Sequence, residues 1–308
     1  MSRQQREAVD AMLRRPRPTG PASVEALRAG FAAMMVTMRV PTAVRTEPVV
    51  LGDRPAVHVT PEQGNDRGTL LYLHGGAYVF GSPATAMCLT VNLVTRSGLQ
   101  AFSLDYRLAP EHPFPAAVDD ALAAYRALLE RGIDPATIVF AGDSAGGGLC
   151  IATCLTARTA GLPMPAACVA FSPGLDATRT GASMDTKAGL DPFFTRESLA
   201  ATGQMYLAGQ DPYHELLSPA ILADLTGLPP LLLQVGTNEV LLDDSTRLAT
   251  RARAAGVDVI LDVTADVPHV FQAFAGVLDE ADQALDRAAL FLTQQIHAPH
   301  NSDPTSPR

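Results

Sequence analysis

The chain of 308 residues is 47% hydrophobic, which is enough apolar material for a large core, and it carries a formal charge of −9. This acidic balance argues against nucleic acid as a partner, because phosphate binding needs clustered Lys and Arg. The N-terminal segment lacks the apolar core of a signal peptide, and no stretch approaches ~18 consecutive apolar residues, so we expect neither secretion nor a membrane span. The four cysteines have no metal-finger spacing and are typical of small apolar packing in a reduced compartment, so we expect a cytoplasmic protein without a bound metal.

The beginning of the chain predicts helices followed by a hairpin. Residues 1–45 carry helical patterns and no convincing strand, so we predict that they form part of a cap. Two apolar runs follow, at 48–52 and 55–59, separated by Asp53 and Arg54. They predict an antiparallel hairpin at the edge of a sheet.

Six short, β-rich apolar runs come next, with helical patterns between them. Successive runs start about 30 residues apart, the length of a βαβ unit, so we predict a mostly parallel sheet covered by helices on both faces. The runs occupy residues 70–74, 101–105, 138–142, 167–172, 231–236 and 259–263. The fourth step is about twice the usual length, so the surplus at 176–218 is predicted to be an insertion between two strands.

The predicted fold is therefore a doubly wound α/β domain over residues 46–298. A helical cap is made from residues 1–45 and from the insertion at 176–218. The tail at 299–308 is polar and rich in proline, and it is predicted to be disordered.

The run at 138–142 leads directly into the letters GDSAG, in which Ser144 lies between Gly142 and Gly146, and a helical pattern follows. Glycines at a tight turn from strand to helix explain such a sequence structurally. The alternative is chemical, because a serine on this turn projects its hydroxyl at the carboxyl end of the sheet, where open α/β sheets bind ligands. The context on both sides favours Ser144 as a nucleophile.

A serine hydroxyl becomes a nucleophile when a base takes its proton, and the chain has seven histidines. Most of them fall in a predicted strand, in the insertion, in the tail or in motifs with another role. His269 instead follows the last predicted strand, again at the carboxyl end of the sheet. A loop histidine packed by Val270 and Phe271 is the structural alternative, but the position favours His269 as the base.

The base needs a carboxylate that fixes its tautomer and stabilises the imidazolium. The loop after the run at 231–236 offers Glu239, Asp243 and Asp244. The two aspartates lie where the first turn of a helix favours acidic residues, which is a sufficient structural role. Glu239 is therefore favoured as the acid, with Asp243 in reserve, and this order of serine, acid and histidine is that of α/β-hydrolases.

Acyl transfer also needs hydrogen-bond donors for an oxyanion, and the run at 70–74 ends in the letters HGGA. Glycines let the backbone approach a substrate closely and aim N–H groups at one point. We predict an oxyanion hole formed by Gly75, Gly76 and Ala77, completed by the N–H of Ala145 next to the serine.

Five stretches of the chain resemble a known family, and they lie at 71–82, 104–117, 140–149, 228–245 and 268–274. In these stretches the chain resembles the bacterial hormone-sensitive-lipase-like esterases, a branch of the α/β-hydrolases. The resemblance implies an α/β-hydrolase fold with a cap over the sheet, the catalytic roles given above for Ser144, Glu239 and His269, and oxyanion donors from Gly76, Ala77 and Ala145. It also suggests a homodimer formed through the strand at 259–263. We expect the enzyme to work without a metal or cofactor.

Two residues depart from the family pattern. Ala77 stands where the family usually has a third glycine, so we expect the oxyanion hole to form if this residue has a negative φ. Its methyl group is expected to narrow the pocket for bulky acyl groups or tertiary alcohols. Glu239 stands where the family more often has Asp, which adds one methylene for the loop to accommodate.

The sequence thus predicts a serine carboxylesterase that hydrolyses short-chain or small esters through an acyl-enzyme. Its apolar lid and pocket are predicted from Met34, Met38, Phe193, Phe194, Met205 and Val270. Plain helix packing is the alternative for the methionines. A lactone hydrolase, an N-acetyl hydrolase or an acyltransferase would use the same three residues, and a non-catalytic ligand-binding receptor on the same fold is a further alternative.

Overall fold

The computed structural model describes residues 2–15, 23–63 and 67–297. The predicted tail at 299–308 lies outside these residues. The strands are β1 (Val44–Leu51), β2 (Arg54–Pro61), β3 (Thr69–Leu73), β4 (Gln100–Leu104), β5 (Ile138–Asp143), β6 (Ala167–Phe171), β7 (Leu231–Gly236) and β8 (Val259–Thr264). The α-helices are α1 (Ser2–Leu13), α2 (Val24–Met35), α3 (Met87–Ser97), α4 (Ala116–Glu130), α5 (Ala145–Thr159), α6 (Ser183–Thr186), α7 (Arg196–Leu207), α8 (Leu242–Ala254) and α9 (Asp279–His297). Within the described ranges, no helix is long and apolar enough to cross a membrane.

The eight strands form one sheet in the order β1-β2-β4-β3-β5-β6-β7-β8. β1 pairs with β2 and β2 pairs with β4 in antiparallel fashion, and the other neighbouring strands are parallel. The mostly parallel sheet predicted from the spacing is confirmed, and β8 lies at its edge. Every residue of β3, β5, β6 and β7 is buried, since helices cover both faces of the sheet.

The N-terminal hairpin is longer than the sequence predicted. Its strands pair up to Leu51 and Arg54, so the connection consists of Gly52 and Asp53. These two residues have φ values of 59° and 62°, the conformation of the two-residue turns that match the twist of paired strands. β1 also begins at Val44, before the predicted boundary at 46, so the N-terminal cap segment ends earlier than expected.

The helices form one layer on each face of the sheet. α4, α5 and α8 pack on one face around a core that includes Tyr125, Phe140 and Leu248. α3 and α9 pack on the other face around a core that includes Val169 and Leu285. The four cysteines are free and buried, as expected for small apolar packing.

The remaining helices belong to the two segments predicted to form the cap. α1 packs against α9 and the loop at 267–278. α2 contacts the loop after β3, where the rings of Phe31 and Phe80 lie 4.9 Å apart. α6 and α7 lie in the insertion between β6 and β7, and the ring of Tyr206 in α7 stacks on that of Tyr78 at 3.9 Å. One helix from each segment therefore contacts the loop that follows β3.

Candidate active site

Ser144 occupies a sharp turn between β5 and α5. Its φ is 52° and its ψ is −118°, backbone angles that cost on the order of 1–3 kcal/mol and persist only where the surroundings enforce them. Two glycines permit the turn. A Cβ on Gly146 would lie 2.0 Å from the carbonyl oxygen of Leu73, and one on Gly142 would lie 2.5 Å from the backbone of Gly146. The turn presents the serine at the carboxyl end of the sheet, as the sequence predicted.

Three side chains from three different loops meet at this hydroxyl. The Oγ of Ser144 donates to Nε2 of His269 at 2.9 Å, and Nδ1 of His269 donates to Oε2 of Glu239 at 2.8 Å. Glu239 is fully buried and His269 is 5% exposed, so water competes little for these bonds. The structure brings together the three residues that the sequence selected from distant positions.

The other two candidate acids make structural contacts away from His269. Asp243 accepts a hydrogen bond from the N–H of Ser183 at 2.9 Å. Asp244 accepts from the N–H groups of Leu175 and Asp176 at 2.7 and 3.0 Å. Both aspartates tie the chain after β6 to the start of α8, which leaves Glu239 as the acid that faces the base.

Ser172, which the sequence analysis did not select, connects the acid to the loop of the base. Its Oγ donates to Oε1 of Glu239 at 2.8 Å and accepts from the N–H of Val270 at 2.9 Å. The same Oε1 also accepts from the N–H of Gly236. Glu239 is therefore held at both carboxylate oxygens, which fixes the direction in which it meets His269. The available signal was the position of Ser172 directly after β6, again at the carboxyl end of a strand.

The neighbours of His269 change its affinity for a proton. Burial is the largest single influence, and it lowers the pKa of His269. The hydrogen bond and charge of Glu239, together with the charges of Asp191 and Asp143, outweigh burial. The net effect is a pKa above the ordinary value of 6.5. The imidazolium that a general base becomes is therefore stabilised. Asp191 lies in the insertion and accepts from the N–H of Val240 at 2.9 Å, so the insertion contributes to the electrostatics of the base.

The segment after β3 and the start of α5 supply backbone donors. Within the part of the chain that the structure describes, the N–H groups of Gly76, Ala77 and Ala145 have no protein acceptor. Ala77 and Ala145 line the same cavity as Ser144. These three N–H groups are the predicted donors that remain available to an oxyanion.

The N–H of Gly75 is not available to an oxyanion. Its N–H donates to Oδ1 of Asp143 at 3.0 Å, so the prediction that Gly75 contributes to the oxyanion hole is wrong. The same oxygen accepts from the hydroxyl of Tyr72 at 2.8 Å. Burial raises the pKa of Asp143 to about 6. Asp143 thus anchors the loop that carries the donors, and Gly75 is the point of attachment.

The negative φ at Ala77 that was the stated condition for the oxyanion hole is not observed. Its φ is 53°, and that of Tyr78 is 62°, so two consecutive residues with side chains adopt the left-handed region. The tight approach of Gly76 explains this geometry, because a Cβ there would lie 1.9 Å from the carbonyl oxygen of Phe80. The left-handed region costs an alanine about 1 kcal/mol. The N–H of Ala77 still has no acceptor in the described chain, so it remains available to an oxyanion.

A cavity of about 260 Å³ lies beside Ser144, bounded by the start of α5 and by α7. Most of its lining is apolar or aromatic, and it includes Tyr78, Phe194, Leu199, Tyr206, Leu216 and Leu241. Among the described residues that line it, Arg179 is the one that carries a charge. No signal in the sequence pointed to Arg179.

One of the six residues predicted for the lid and pocket lines this cavity. Phe194 does so, and its ring lies 4.8 Å from that of His269. The other five predicted residues do not line this cavity: Met34, Met38, Phe193, Met205 and Val270.

The reason lies in which side of each segment faces the serine. α7 turns Leu199, Gly203 and Tyr206 to the cavity, and Met205 packs against the core instead. Met38 lines a separate apolar cavity of about 340 Å³ that also contacts α1 and the loop after β8. Packing, the alternative given for the methionines, describes Met38 and Met205 better than a role in the pocket.

The arrangement around Ser144 can activate a hydroxyl and stabilise an oxyanion. A base accepts the hydroxyl proton while an acid holds its other ring nitrogen. Ala77 and Ala145, whose N–H groups have no acceptor in the described chain, line the same cavity as the hydroxyl. Among residues 2–15, 23–63 and 67–297, no group of three or more His, Cys, Asp or Glu side chains is placed to hold a metal ion.

Known proteins match the chain over most of its length. The family described as having the alpha/beta hydrolase fold matches residues 70–273. An acetyl-hydrolase from Streptomyces hygroscopicus is 45% identical over 244 residues, which cover 79% of this chain and 81% of that protein. An esterase from Acinetobacter venetianus is 39% identical over 225 residues, which cover 73% of this chain and 74% of that protein. Among solved structures, an esterase from the bacterial hormone-sensitive lipase family has a TM-score of 0.92 and 43% identity, covering 95% of this chain and 98% of that one.

Proposed function

This chain belongs to the α/β-hydrolase family, among the esterases of the bacterial hormone-sensitive lipase type, and we propose that it is a serine carboxylesterase that hydrolyses small carboxylic esters through an acyl-enzyme. The observation that carries the proposal is the hydrogen-bonded line from Ser144 through His269 to Glu239. A hydroxyl in such a line is activated for attack on a carbonyl carbon. The matched proteins named esterase and acetyl-hydrolase support the same class of reaction.

In the first half of the proposed reaction, Ser144 is acylated. Its Oγ attacks the ester carbonyl carbon while Nε2 of His269 takes the hydroxyl proton. The carbonyl oxygen becomes an oxyanion, which accepts hydrogen bonds from the N–H groups of Gly76, Ala77 and Ala145. The tetrahedral intermediate then breaks its bond to the alcohol oxygen, which receives the proton from His269, and the alcohol leaves.

In the second half, water releases the acid. His269 takes a proton from a water molecule, whose oxygen attacks the acyl carbon and forms a second tetrahedral intermediate. The bond to Oγ of Ser144 breaks, the serine recovers its proton from His269, and the carboxylic acid departs. Glu239 stabilises the imidazolium by charge and orientation.

Two features of the cavity support small acyl groups. Its volume of about 260 Å³ lies below the roughly 300–1,000 Å³ of pockets for drug-sized ligands. The stacked rings of Tyr78 and Tyr206 line it, and they belong to the loop after β3 and to the insertion. We assign the insertion and the N-terminal segment up to β1 the role of a cap that encloses the acyl group.

The alternatives on the same three residues are not favoured. A lactone hydrolase, an N-acetyl hydrolase and an acyltransferase would need contacts for a ring, an amide or a second acceptor, and no described contact in the cavity points to one of them. A ligand-binding receptor would have no need of an activated serine. Covalent labelling by a fluorophosphonate separates the esterase from the receptor, since the reagent needs the activated hydroxyl.

The decisive experiment is hydrolysis of p-nitrophenyl acetate and butyrate by the wild type and by Ser144→Ala. Loss of a nucleophile of this kind lowers kcat by roughly 10⁶-fold. The matched control is Ser103→Ala, because the Oγ of Ser103 is buried without a hydrogen-bond partner in the described structure and lies in β4. This control is expected to keep its activity. A loss below roughly 10³-fold in Ser144→Ala would refute the assignment.

A homodimer through β8 is a further part of the proposal. Ile260 and Val263 lie on this edge strand and are 53% and 42% exposed, and an edge strand with exposed apolar side chains favours pairing with a second chain. Light scattering is expected to give the mass of two chains for the wild type and of one chain for Val263→Lys. A monomeric wild type would contradict the proposal.

We also propose a cytoplasmic location. Its support is the set of four free, buried cysteines, which is typical of a reduced compartment. Fractionation of cells that express the full chain tests it, and recovery of the activity from the culture medium or the periplasm would contradict it.

A further inference from the structure

One charged side chain faces the cavity beside Ser144. Arg179 lies in the insertion between β6 and β7 and lines this cavity together with uncharged side chains such as Tyr78, Leu199 and Tyr206. A guanidinium stays protonated in proteins. The cavity proposed to hold the acyl group therefore contains a permanent positive charge among apolar and aromatic groups.

No carboxylate in the described chain forms a hydrogen bond with the guanidinium of Arg179. Its ion-pair partner there is Oδ2 of Asp244, at 3.9 Å from Nη1, which is beyond hydrogen-bond reach. That oxygen already accepts hydrogen bonds from the N–H groups of Leu175 and Asp176. By contrast, the neighbouring Arg247 reaches Asp176 at 2.9 Å. The donors of Arg179 thus remain available to a molecule in the cavity.

The backbone around Arg179 is held in place by a local turn. The carboxylate of Asp176 accepts from the N–H groups of Thr178 and Thr180 at 2.9 and 3.1 Å. The carbonyl oxygen of Arg179 accepts from Arg196 at 3.2 Å. Backbone that is already ordered loses less conformational freedom when a ligand binds to its side chain.

The cavity suits the acyl side of an ester rather than its alcohol side. The leaving alcohol oxygen must face Nε2 of His269 to receive a proton, and His269 is not part of the cavity lining. Ala77 and Ala145, whose N–H groups are assigned to the carbonyl oxygen, do line it. An acyl chain therefore extends from Ser144 into the space that Arg179 borders.

We propose that Arg179 binds a carboxylate at the far end of the acyl group, so that the preferred substrates are half-esters of short dicarboxylic acids such as succinic and glutaric acid. The proposal rests on the esterase function proposed above. A carboxylate accepts two parallel hydrogen bonds from a guanidinium, a geometry that an ammonium does not offer. A neutral acyl group offers no charge to this pair of hydrogen bonds.

The test compares ethyl hydrogen succinate with ethyl levulinate, in which a neutral acetyl group replaces the carboxylate at the same chain length. Ethanol release measures both reactions without a chromophore. The wild type is expected to show a kcat/KM for the half-ester ~10- to 100-fold above that for ethyl levulinate, the range expected for hydrogen bonds between charged groups. In Arg179→Gln this preference is expected to disappear, because kcat/KM for the half-ester falls far more than that for ethyl levulinate.

Two further variants separate direct contact from general charge. Arg126→Gln removes the same charge from an exposed position on α4 and is expected to keep the preference. Arg179→Lys keeps the charge without the paired donors and is expected to show an intermediate preference. An equal loss for both esters in Arg179→Gln, or loss of the preference in Arg126→Gln, would overturn the proposal.

Binding gives a readout that does not depend on turnover. Calorimetry with ethyl hydrogen succinate is expected to show a weaker Kd for Ser144→Ala/Arg179→Gln than for Ser144→Ala, by a factor similar to the loss of preference. An unchanged Kd would overturn the role of Arg179. If the wild type hydrolyses ethyl levulinate but not the half-ester, the role of Arg179 is contradicted and the esterase function is not. If the wild type is inactive towards p-nitrophenyl acetate, the esterase function itself is contradicted.

Discussion

The side of the site that the sheet carries, the sheet wall, is built from short polar contacts. Glu239 accepts hydrogen bonds from His269, Ser172 and Gly236, and it is fully buried. Asp143 holds the donor loop through its bonds to Gly75 and Tyr72. Each reacting group is therefore supported by at least one buried partner that determines its direction.

The wall on the cap side is built mainly from rings and aliphatic side chains. Tyr206 meets Tyr78 with ring centroids 3.9 Å apart and an interplanar angle of 7°, and Leu199 packs with Met184 in a small apolar cluster. The guanidinium of Arg179 is the exception on this wall, because it is charged and forms no hydrogen bond with a carboxylate within the described residues.

The difference assigns separate tasks to the two walls. Hydrogen bonds are directional, so loss of one buried partner misplaces a reacting group and slows the reaction. Apolar contacts tolerate changes of similar volume, so a change there alters the shape of the cavity with a smaller effect on the chemical step. We expect the sheet wall to set the rate and the cap wall to set the choice of acyl group.

The largest expected effect tests the sheet wall. Glu239→Gln removes the charge that stabilises the imidazolium of His269, and kcat for p-nitrophenyl acetate is expected to fall by roughly 10³- to 10⁴-fold with little change in KM. Asp243→Asn is the matched control, since Asp243 contacts Ser183 instead of the base, and it is expected to stay within about threefold of the wild type. A comparable loss of kcat in both variants would contradict the assignment of Glu239, rather than Asp243, as the acid that supports His269.

The pH dependence of the same wall is the next largest effect. His269 acts as a base only when neutral, and its pKa lies above 6.5. Below this pKa, kcat/KM is expected to fall about tenfold for each pH unit, and the rate is expected to level off above it. Glu239→Gln removes the main influence that raises the pKa, so its residual rate should decline only at lower pH. A flat profile of the wild type between pH 5 and 8 would contradict the assignment of the base.

The cap wall is tested by Tyr206→Leu, which removes one of the two stacked rings. The cavity becomes larger, so kcat/KM for p-nitrophenyl hexanoate relative to acetate is expected to rise about tenfold, the effect of one or two methylenes in an apolar pocket. The control is Tyr213→Leu, because Tyr213 is 62% exposed. A uniform loss with all acyl lengths would show that this wall affects the rate rather than the selection.

The smallest expected effect is a change in stability from a substitution at Ala77, which lies between the two walls. Ala77→Gly relieves the left-handed φ of 53°, so the free energy of unfolding is expected to rise by up to about 1 kcal/mol, after allowance for the more flexible unfolded chain. Ala160→Gly is the control at a φ of −80°, where glycine is expected to lower stability by about 0.5–1 kcal/mol. Urea unfolding measures both variants, and a destabilised Ala77→Gly would contradict the strain attributed to Ala77.

The sequence predicted the parts of the site that depend on strand ends. Ser144, Glu239 and His269 each follow an apolar run, and parallel strands place their carboxyl ends at one edge of the sheet. The chain order and the position after each run were therefore sufficient to select them. The choice of Glu239 over Asp243 also followed, because an aspartate at the start of a helix has a structural role of its own.

The sequence did not predict which atoms remain free after folding. The N–H of Gly75 is taken by Asp143, a contact between segments 68 residues apart in the chain. The sign of φ at Ala77 depends on how closely Gly76 approaches Phe80. Neither feature has a local pattern, because both arise when separate loops pack together.

By itself, the sequence determined the order of strands and helices, the tight turn at Ser144 and the three residues at the strand ends, because alternating apolar runs and glycine turns act over short distances along the chain. Tertiary structure alone decided which side of α7 faces the serine, and it placed Arg179 in the cavity in place of the predicted methionines. A pocket is formed by the relative rotation and spacing of elements, and those quantities are set by packing across the whole molecule rather than by any one segment.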